Sequence, residues 1–259
     1  MHIELLTASA TASAVVGSAA AAVGNDSLVI KNGQGDIDIV ALWQTNQAAG
    51  FGQLIFPSGH DTTRGWRAGV GVGVNVGLLS LRQNIRVQAQ ETMAVTLGAA
   101  ATAGDVDLLS MLIRYKNFPG ISGRLMTENA VLAKTDKLTT VENSLASTAG
   151  PSYGTPELIT ADSDLLLANR DYALLGLTCR TAVHTIYVSA PDFGNLRVGA
   201  PGMLRYDLGS QWFMLQSRLH DEPMVPIFNS GNKSNVSIGV CTDENAGTFV
   251  VTAHLALLK

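Results

Sequence analysis

The sequence predicts an all-β protein made of two tandem antiparallel β-sandwiches. Three observations predict it. Hydrophobic residues recur with a period of two over most of the chain, and turn clusters rich in Gly, Asn, Asp, Ser and Pro separate the apolar runs. Short segments of the first half also recur, in the same order, in the second. A chain of 259 residues is long enough to bury two cores of roughly 100 to 150 residues each.

Taken in order, Asp36-Ile37-Asp38-Ile39-Val40-Ala41-Leu42-Trp43 opens as an alternating strand, and Asn84-Ile85-Arg86-Val87-Gln88-Ala89 places Ile85, Val87 and Ala89 on one face. Leu174 to Leu177 and Ala182 to Val188 suit strands covered on both sides, and Asn235 to Val240 alternates again. Turns are expected at Lys31 to Gly35, Pro57 to Asp61, Ala190 to Asn195 and Asn229 to Asn232. Helix is expected only at Thr127 to Lys134, with Thr127 as the cap, and at Lys137 to Leu145. The Thr-, Ser-, Ala- and Gly-rich stretch after Lys134 reads as a boundary. The expected organisation is an N-terminal sandwich over 1–134, a linker over 135–155 and a C-terminal sandwich over 156–259.

Four echoes link the halves. Glu4 to Ala8 recurs at Glu157 to Ala161, Asp38 to Leu42 at Asp171 to Leu175, and Ile55 to Asp61 at Ile186 to Asp192. Met93 to Leu97 recurs at Val236 to Val240, and each run continues to Tyr115-Lys116 or Leu258-Lys259. The offsets are 153, 133, 131 and 143 residues. Any two β domains share alternation and turn chemistry, so a single match means little; four in the same order point to duplication.

Composition limits function. Charged residues make up 15% of the chain, against about 25% in an average soluble domain. Such a surface is expected to be covered by other subunits. A formal charge of −4 leaves no basic arm for neutralising phosphates, so direct nucleic-acid binding is not expected. Cys179 and Cys241 stand in no metal-ligand or redox spacing, which suits a reducing compartment. The first 23 residues are apolar, but Met1 to Glu4 carries no basic region and Ala8 to Val23 is mostly Ala, Ser and Gly. Neither a signal peptide nor a membrane span is expected there.

No catalytic constellation emerges. Gly150-Pro151-Ser152-Tyr153-Gly154 fits G-x-S-x-G, yet no strand leads in and no amphipathic helix leads out. Ser58, His60 and Asp61 stand too close together for a relay. Gly69 to Gly77 alternates Gly with Val and reads as a strand with a bare face rather than a phosphate loop. His2, His60, His184, His220 and His254 are scattered, with no ligand spacing; His184 and His254 suit hydrogen-bonded core or interface positions. Asp36 with Asp38, and Asp243-Glu244-Asn245, lack the loop spacing of a calcium site. Asn25, Asn232 and Asn235 begin glycosylation triplets that carry no weight without a secretory signal. Trp43, Trp212 and Phe213 are expected to anchor cores, whereas Trp66, set between Arg64 and Arg67, has the composition of an interface hot spot. No catalytic, cofactor or metal residues are therefore assigned, and no enzyme activity is expected.

In its duplicated β organisation, low charge and missing catalytic and basic motifs, the chain resembles the small double jelly-roll major capsid proteins of tailless icosahedral double-stranded DNA viruses. The resemblance covers about residues 4 to 118 and 157 to 259 and rests on architecture and composition. It implies two jelly-roll sandwiches side by side, homotrimeric capsomers, other virion proteins as partners and assembly in the host cytoplasm. Packaging would fall to a motor, other virion proteins or an inner membrane lining. A cement, decoration or tail protein has the same composition, and a carbohydrate- or other ligand-binding sandwich module is a further alternative, requiring an exposed Trp66 or Trp212.

Overall fold

The computed structural model describes residues 2–11, 18–24, 26–29, 36–46, 50–58, 66–70, 73–77, 85–99, 106–115, 123–147, 150–162, 164–202, 224–242 and 247–259. The fold is mostly β and built from several antiparallel sheets. The first half carries β1 (His2–Thr11), β2 (Ser18–Ala19), β3 (Ala21–Ala22), β4 (Ile37–Asn46), β5 (Gly50–Ile55), β6 (Trp66–Val70), β7 (Gly73–Gly77), β8 (Ile85–Val87), β9 (Ala94–Ala99) and β10 (Val106–Tyr115). The second carries β11 (Leu125–Thr127), α1 (Glu128–Lys134), β12 (Thr135–Ser147), β13 (Ser152–Tyr153), β14 (Glu157–Leu158), β15 (Asp171–Cys179), β16 (Val183–Ser189), β17 (Arg197–Gly202), β18 (Met224–Asn229), β19 (Ser237–Thr242) and β20 (Gly247–Leu258).

Four sheets stack in layers. Sheet 1 has the order β2-β9-β5-β6 and sheet 2 the order β3-β1-β10-β4-β7, with β8 also on β4. Sheet 3 runs β13-β19-β16-β17, with β14 also on β19, and sheet 4 runs β11-β18-β15-β20-β12. The period-two pattern decides the layering. In β10, Leu109, Met111 and Ile113 join Leu54, Val95 and Leu97 of sheet 1, and Phe56 just after β5, in one core. On the other face of sheet 2, Ile3, Leu5, Trp43 and Leu112 join a second core with Tyr187 of sheet 3 and Leu174 and Leu255 of sheet 4. Each fully covered Leu or Phe contributes about 1.5–3 kcal/mol of apolar transfer free energy. The layers are therefore held mainly by these inward stripes.

The two halves repeat one strand order. Numbering β1, β2, β4, β5, β6, β7, β9 and β10 from 1 to 8 gives sheet 2 the order 1-8-3-6 and sheet 1 the order 2-7-4-5. Numbering β12, β13 and then β15 to β20 in the same way gives 1-8-3-6 in sheet 4 and 2-7-4-5 in sheet 3. The third strand of each half also bulges alike. Val40 is the extra residue of β4 against β10, and Leu175 the extra residue of β15 against β20.

This repeat tests the echoes. Val95 faces Leu54 and Ile238 faces Val188, so the fourth echo is in structural register. The second echo falls on equivalent strands, β4 and β15, but slips by two residues; of the third, Ile55 ends β5 whereas Ile186 lies inside β16, and Gly59 to Asp61 lie outside the described residues. The first does not hold: Glu157 and Leu158 lie in β14 of sheet 3, whereas the counterpart of β1 is β12.

Two further expectations are corrected. The stretch assigned as a linker, 135–155, contains β12, which pairs with β20 along its length, followed by β13. Lys137 to Leu145 is strand and not helix. Leu138, Val141 and Leu145 mimic helical spacing, but the buried set is Val141, Asn143, Leu145 and Ser147, a period of two. Helix α1 agrees with the sequence: Thr127 caps it by accepting from the Ala130 amide, and Val131 seats it on the outer side of sheet 4. It stops where Thr135 turns extended and its hydroxyl donates back to the Val131 carbonyl at 2.8 Å.

Candidate functional site

The chemistry-bearing side chains that the fold brings together lie at the seam between sheets 2 and 3. Strand alternation aims Thr7 of β1, Trp43 and Thr45 of β4, and Ser110 of β10 toward sheet 3. Sheet 3 answers with His184 and Thr185. Neighbouring residues of a regular strand point to opposite faces, but the pairing of β16 with β17 shifts between Val183 and Thr185. That bulge turns both His184 and Thr185 toward sheet 2.

The contacts form a chain. The Trp43 indole N–H donates to Thr185 Oγ1 at 2.8 Å and to the His184 carbonyl at 3.1 Å. Thr185 Oγ1 lies 3.1 Å from Ser110 Oγ, and Ser110 Oγ lies 2.8 Å from His184 Nε2 and 2.7 Å from Thr7 Oγ1. His184 Nδ1 meets Thr45 Oγ1 at 2.7 Å. One proton arrangement satisfies every member: Thr185 and Thr7 donate to Ser110, Ser110 donates to His184 Nε2, and His184 Nδ1–H donates to Thr45. The tautomer is assigned from this network. His184 is enclosed, at 2% exposure, and burial lowers its pKa to about 3, so it is neutral in this fold.

At the other end the seam becomes ionic. The Thr7 amide donates to Asp26 Oδ2 at 2.7 Å, and the Tyr153 hydroxyl reaches Thr7 Oγ1 at 2.7 Å and Asp26 Oδ2 at 2.6 Å. Arg197 pairs with Asp26, and its guanidinium lies 3.9 Å from the Tyr153 ring centroid. Burial raises the Tyr153 pKa well above 10 and that of Tyr187 to about 12, so both phenols keep their protons. Tyr187 stands directly across from Gly199 on one side and Gly239 on the other. A Cβ at Gly239 would overlap its ring, and one at Gly199 would come within 3.0 Å of Leu5 Cδ2. The bare positions on sheet 3 are what let an aromatic ring and sheet 2 approach this closely.

Ser110 and His184 have the contact of a nucleophile and its base, but their surroundings suit joining rather than reaction. Ser110 is fully buried, and the third member of the chain is a threonine hydroxyl, which cannot stabilise an imidazolium as a carboxylate does. A recess lined by Ile3, Arg124, Leu125, Phe193 and Val198 includes none of these residues. There Arg124 forks onto Asp171, at 3.0 and 2.5 Å, and Asn229 holds the same carboxylate at 2.7 Å. This cluster ties β11, β15 and β18 together.

The residues singled out in the sequence fall as follows. Ser152 lies in β13, paired opposite Thr242, with its hydroxyl buried and unbonded. Ser58 holds a turn by donating to Glu91 at 2.5 Å. Asp36 and Asp38 pair with Arg86 and Arg114, at 2.7 and 3.0 Å. His254 bonds Thr178 at 3.0 Å, and Cys179 and Cys241 are buried and form no disulfide. The segment Gly69 to Gly77 is split between β6 and β7, strands of different sheets. His60, Asp61, Trp212, Phe213, His220 and Asp243 to Asn245 lie outside the described residues, as do the side chains of His2 and Trp66. Among the described residues, no three His, Cys, Asp or Glu side chains group to hold a metal ion, and no helix is long and apolar enough to cross a membrane.

No protein-family model matches the chain, and no curated protein matches it. Among solved structures it is similar to one described as the crystal structure of PBSX exported protein XepA. The identity is 9% and the TM-score 0.22, over 98% of this chain and 86% of that one.

Proposed function

We propose that the chain is a structural virion protein, a major capsid protein built as a double jelly roll that assembles into an icosahedral shell through trimeric capsomers. The observation that carries this reading is the repeated strand order, 1-8-3-6 over 2-7-4-5, in two consecutive units. In that order every step of the chain but 4 to 5 crosses between the sheets of its unit, so two facing sheets are wound from one rolled-up antiparallel ribbon. That winding supports the double-sheet, eight-strand plan of jelly rolls, which capsid domains use. Low charge supports it too: a chain in which only 15% of residues are charged suits burial of its surface against sister copies. The seam adds rigidity, because the chain of hydrogen bonds through Ser110, His184, Thr45, Thr185 and Trp43 favours one mutual placement of the two units.

The test is stoichiometry in purified particles. Hundreds of copies forming the continuous shell support the capsid reading; copies seated on a different shell protein assign the chain to cement or decoration instead. Copies confined to a tail overturn the shell role as well.

A further inference from the structure

We propose that the seam between sheets 2 and 3 is an acid-labile joint, opened when His184 takes up a proton while each unit keeps its own sandwich. The inference goes beyond the capsid reading and does not depend on it.

Placement is the first argument. His184 is the point where the second unit enters the first: both ring nitrogens end on hydroxyls of sheet 2, Thr45 on β4 and Ser110 on β10. Hydroxyls can turn to accept from an imidazolium, but they bring no compensating charge. Among the described residues, the charged groups on the surrounding elements are engaged elsewhere or face away. Asp38 of β4 is paired with Arg114 of β10. Asp107 points to the opposite face of β10 from Ser110, and Glu4 of β1 accepts from Tyr115 at 2.5 Å. Arg197 of β17 and Asp26 neutralise each other beside Tyr153 of β13. Cys241 of β19 and Tyr187 of β16 are the other titratable groups on this side, and burial keeps Tyr187 neutral.

The second argument is the kind of contact at each interface. Leu54, Phe56, Leu97 and Met111 join sheets 1 and 2, and the core that joins sheets 3 and 4 includes Ile186 and Leu255, none of which titrates; Ile3, Leu5, Trp43 and Leu112 of sheet 2 belong to that same core, and the seam adds the titratable His184 to it. At the seam the two sheets are joined through the ring nitrogens of a titratable imidazole, so protonation of His184 acts directly on that layer. The sign follows from burial: the pKa is about 3 in the closed seam and near 6.5 once the ring is solvated. Closure is fully favoured above 6.5 and progressively lost as pH falls toward 3. At pH 4.5 the ratio of open to closed seam rises about 100-fold over its neutral-pH value.

The experiment uses the full chain with Trp66→Phe and Trp212→Phe, so that Trp43, whose indole donates into the seam, alone emits. Between pH 7 and 4 the Trp43 emission is expected to shift to the red while the far-UV β signal stays. His184→Gln, which keeps a donor and an acceptor but cannot titrate over this range, is expected to abolish the shift. In the otherwise unaltered protein, the His184 Cε1–H resonance, which needs no folded variant, is expected to titrate in step with opening. A red shift that survives His184→Gln, a resonance that does not follow the opening, or loss of the β signal at the same pH overturns the proposal. So does an unmoved Trp43 emission down to pH 4.

Discussion

Replacing Ser110 with alanine tests the seam at its hub. The hydroxyl has three partners, Thr7, His184 and Thr185, at 2.7, 2.8 and 3.1 Å, and is fully buried. Thr7 still meets Tyr153, and Thr185 still receives the Trp43 indole N–H. His184 Nε2 loses its donor and stays buried. Leaving such an acceptor unbonded costs about 1–3 kcal/mol, and the remaining weakened bonds add about 1 kcal/mol. Ser110→Ala should therefore lower stability by about 2–4 kcal/mol. Urea unfolding at pH 7.5 measures this as a lower midpoint with an unchanged slope. Thr45→Ala should cost less, about 1–2 kcal/mol, because the His184 Nδ1–H it strands is a single donor. A Ser110→Ala change below about 0.5 kcal/mol, the range of neutral surface substitutions, would refute the view that this network joins the units.

Other expectations are more local. Gly239→Ala should destabilise by about 1–3 kcal/mol in urea unfolding, because the new methyl overlaps the Tyr187 ring; Tyr187→Ala in the same chain should make the glycine change nearly neutral. Thr127→Ala should cost about 1 kcal/mol by removing the cap of α1, again read as a urea midpoint. Arg124 holds the Asp171 carboxyl below its usual range, chiefly through their hydrogen bonds. The pair's stabilisation is thus complete above the unfolded carboxylate pKa near 3.8 and is lost as pH falls through the lower folded value. Since both side chains are about a third exposed, Asp171→Asn should remove only about 1 kcal/mol at pH 7 and nothing measurable at pH 2.

The mostly β class was legible because strands with one covered face advertise themselves through period-two alternation. Ile37 and Ile39, and again Ile238 and Val240, stand on faces that the sequence alone already pairs. The repeated strand order was readable at Val95 and Ile238, where an apolar strand leads directly into the final run of each half. It was misread at β12, because half of that strand's buried face is Asn143 and Ser147. Asn143 is tolerated there because its side-chain amide donates to the Leu158 carbonyl at 2.9 Å, and Ser147 because it bonds Thr242 at 2.9 Å. These are tertiary bonds that no local pattern announces. The seam was hidden for the same reason: Thr45 and His184 meet across 139 residues of chain. A signal existed, since Ser110 interrupts the apolar run Leu108 to Ile113, and a polar residue at a covered strand position calls for a partner. Sequence could supply the demand without naming His184 as the answer.

The central claim is that these paired β units are built to be covered by copies of themselves. Light scattering coupled to size exclusion, run across protein concentrations, tests it most directly. The account predicts a mass of three chains or a larger assembly that persists on dilution into the micromolar range. A single-chain mass that stays soluble at millimolar concentration would contradict it.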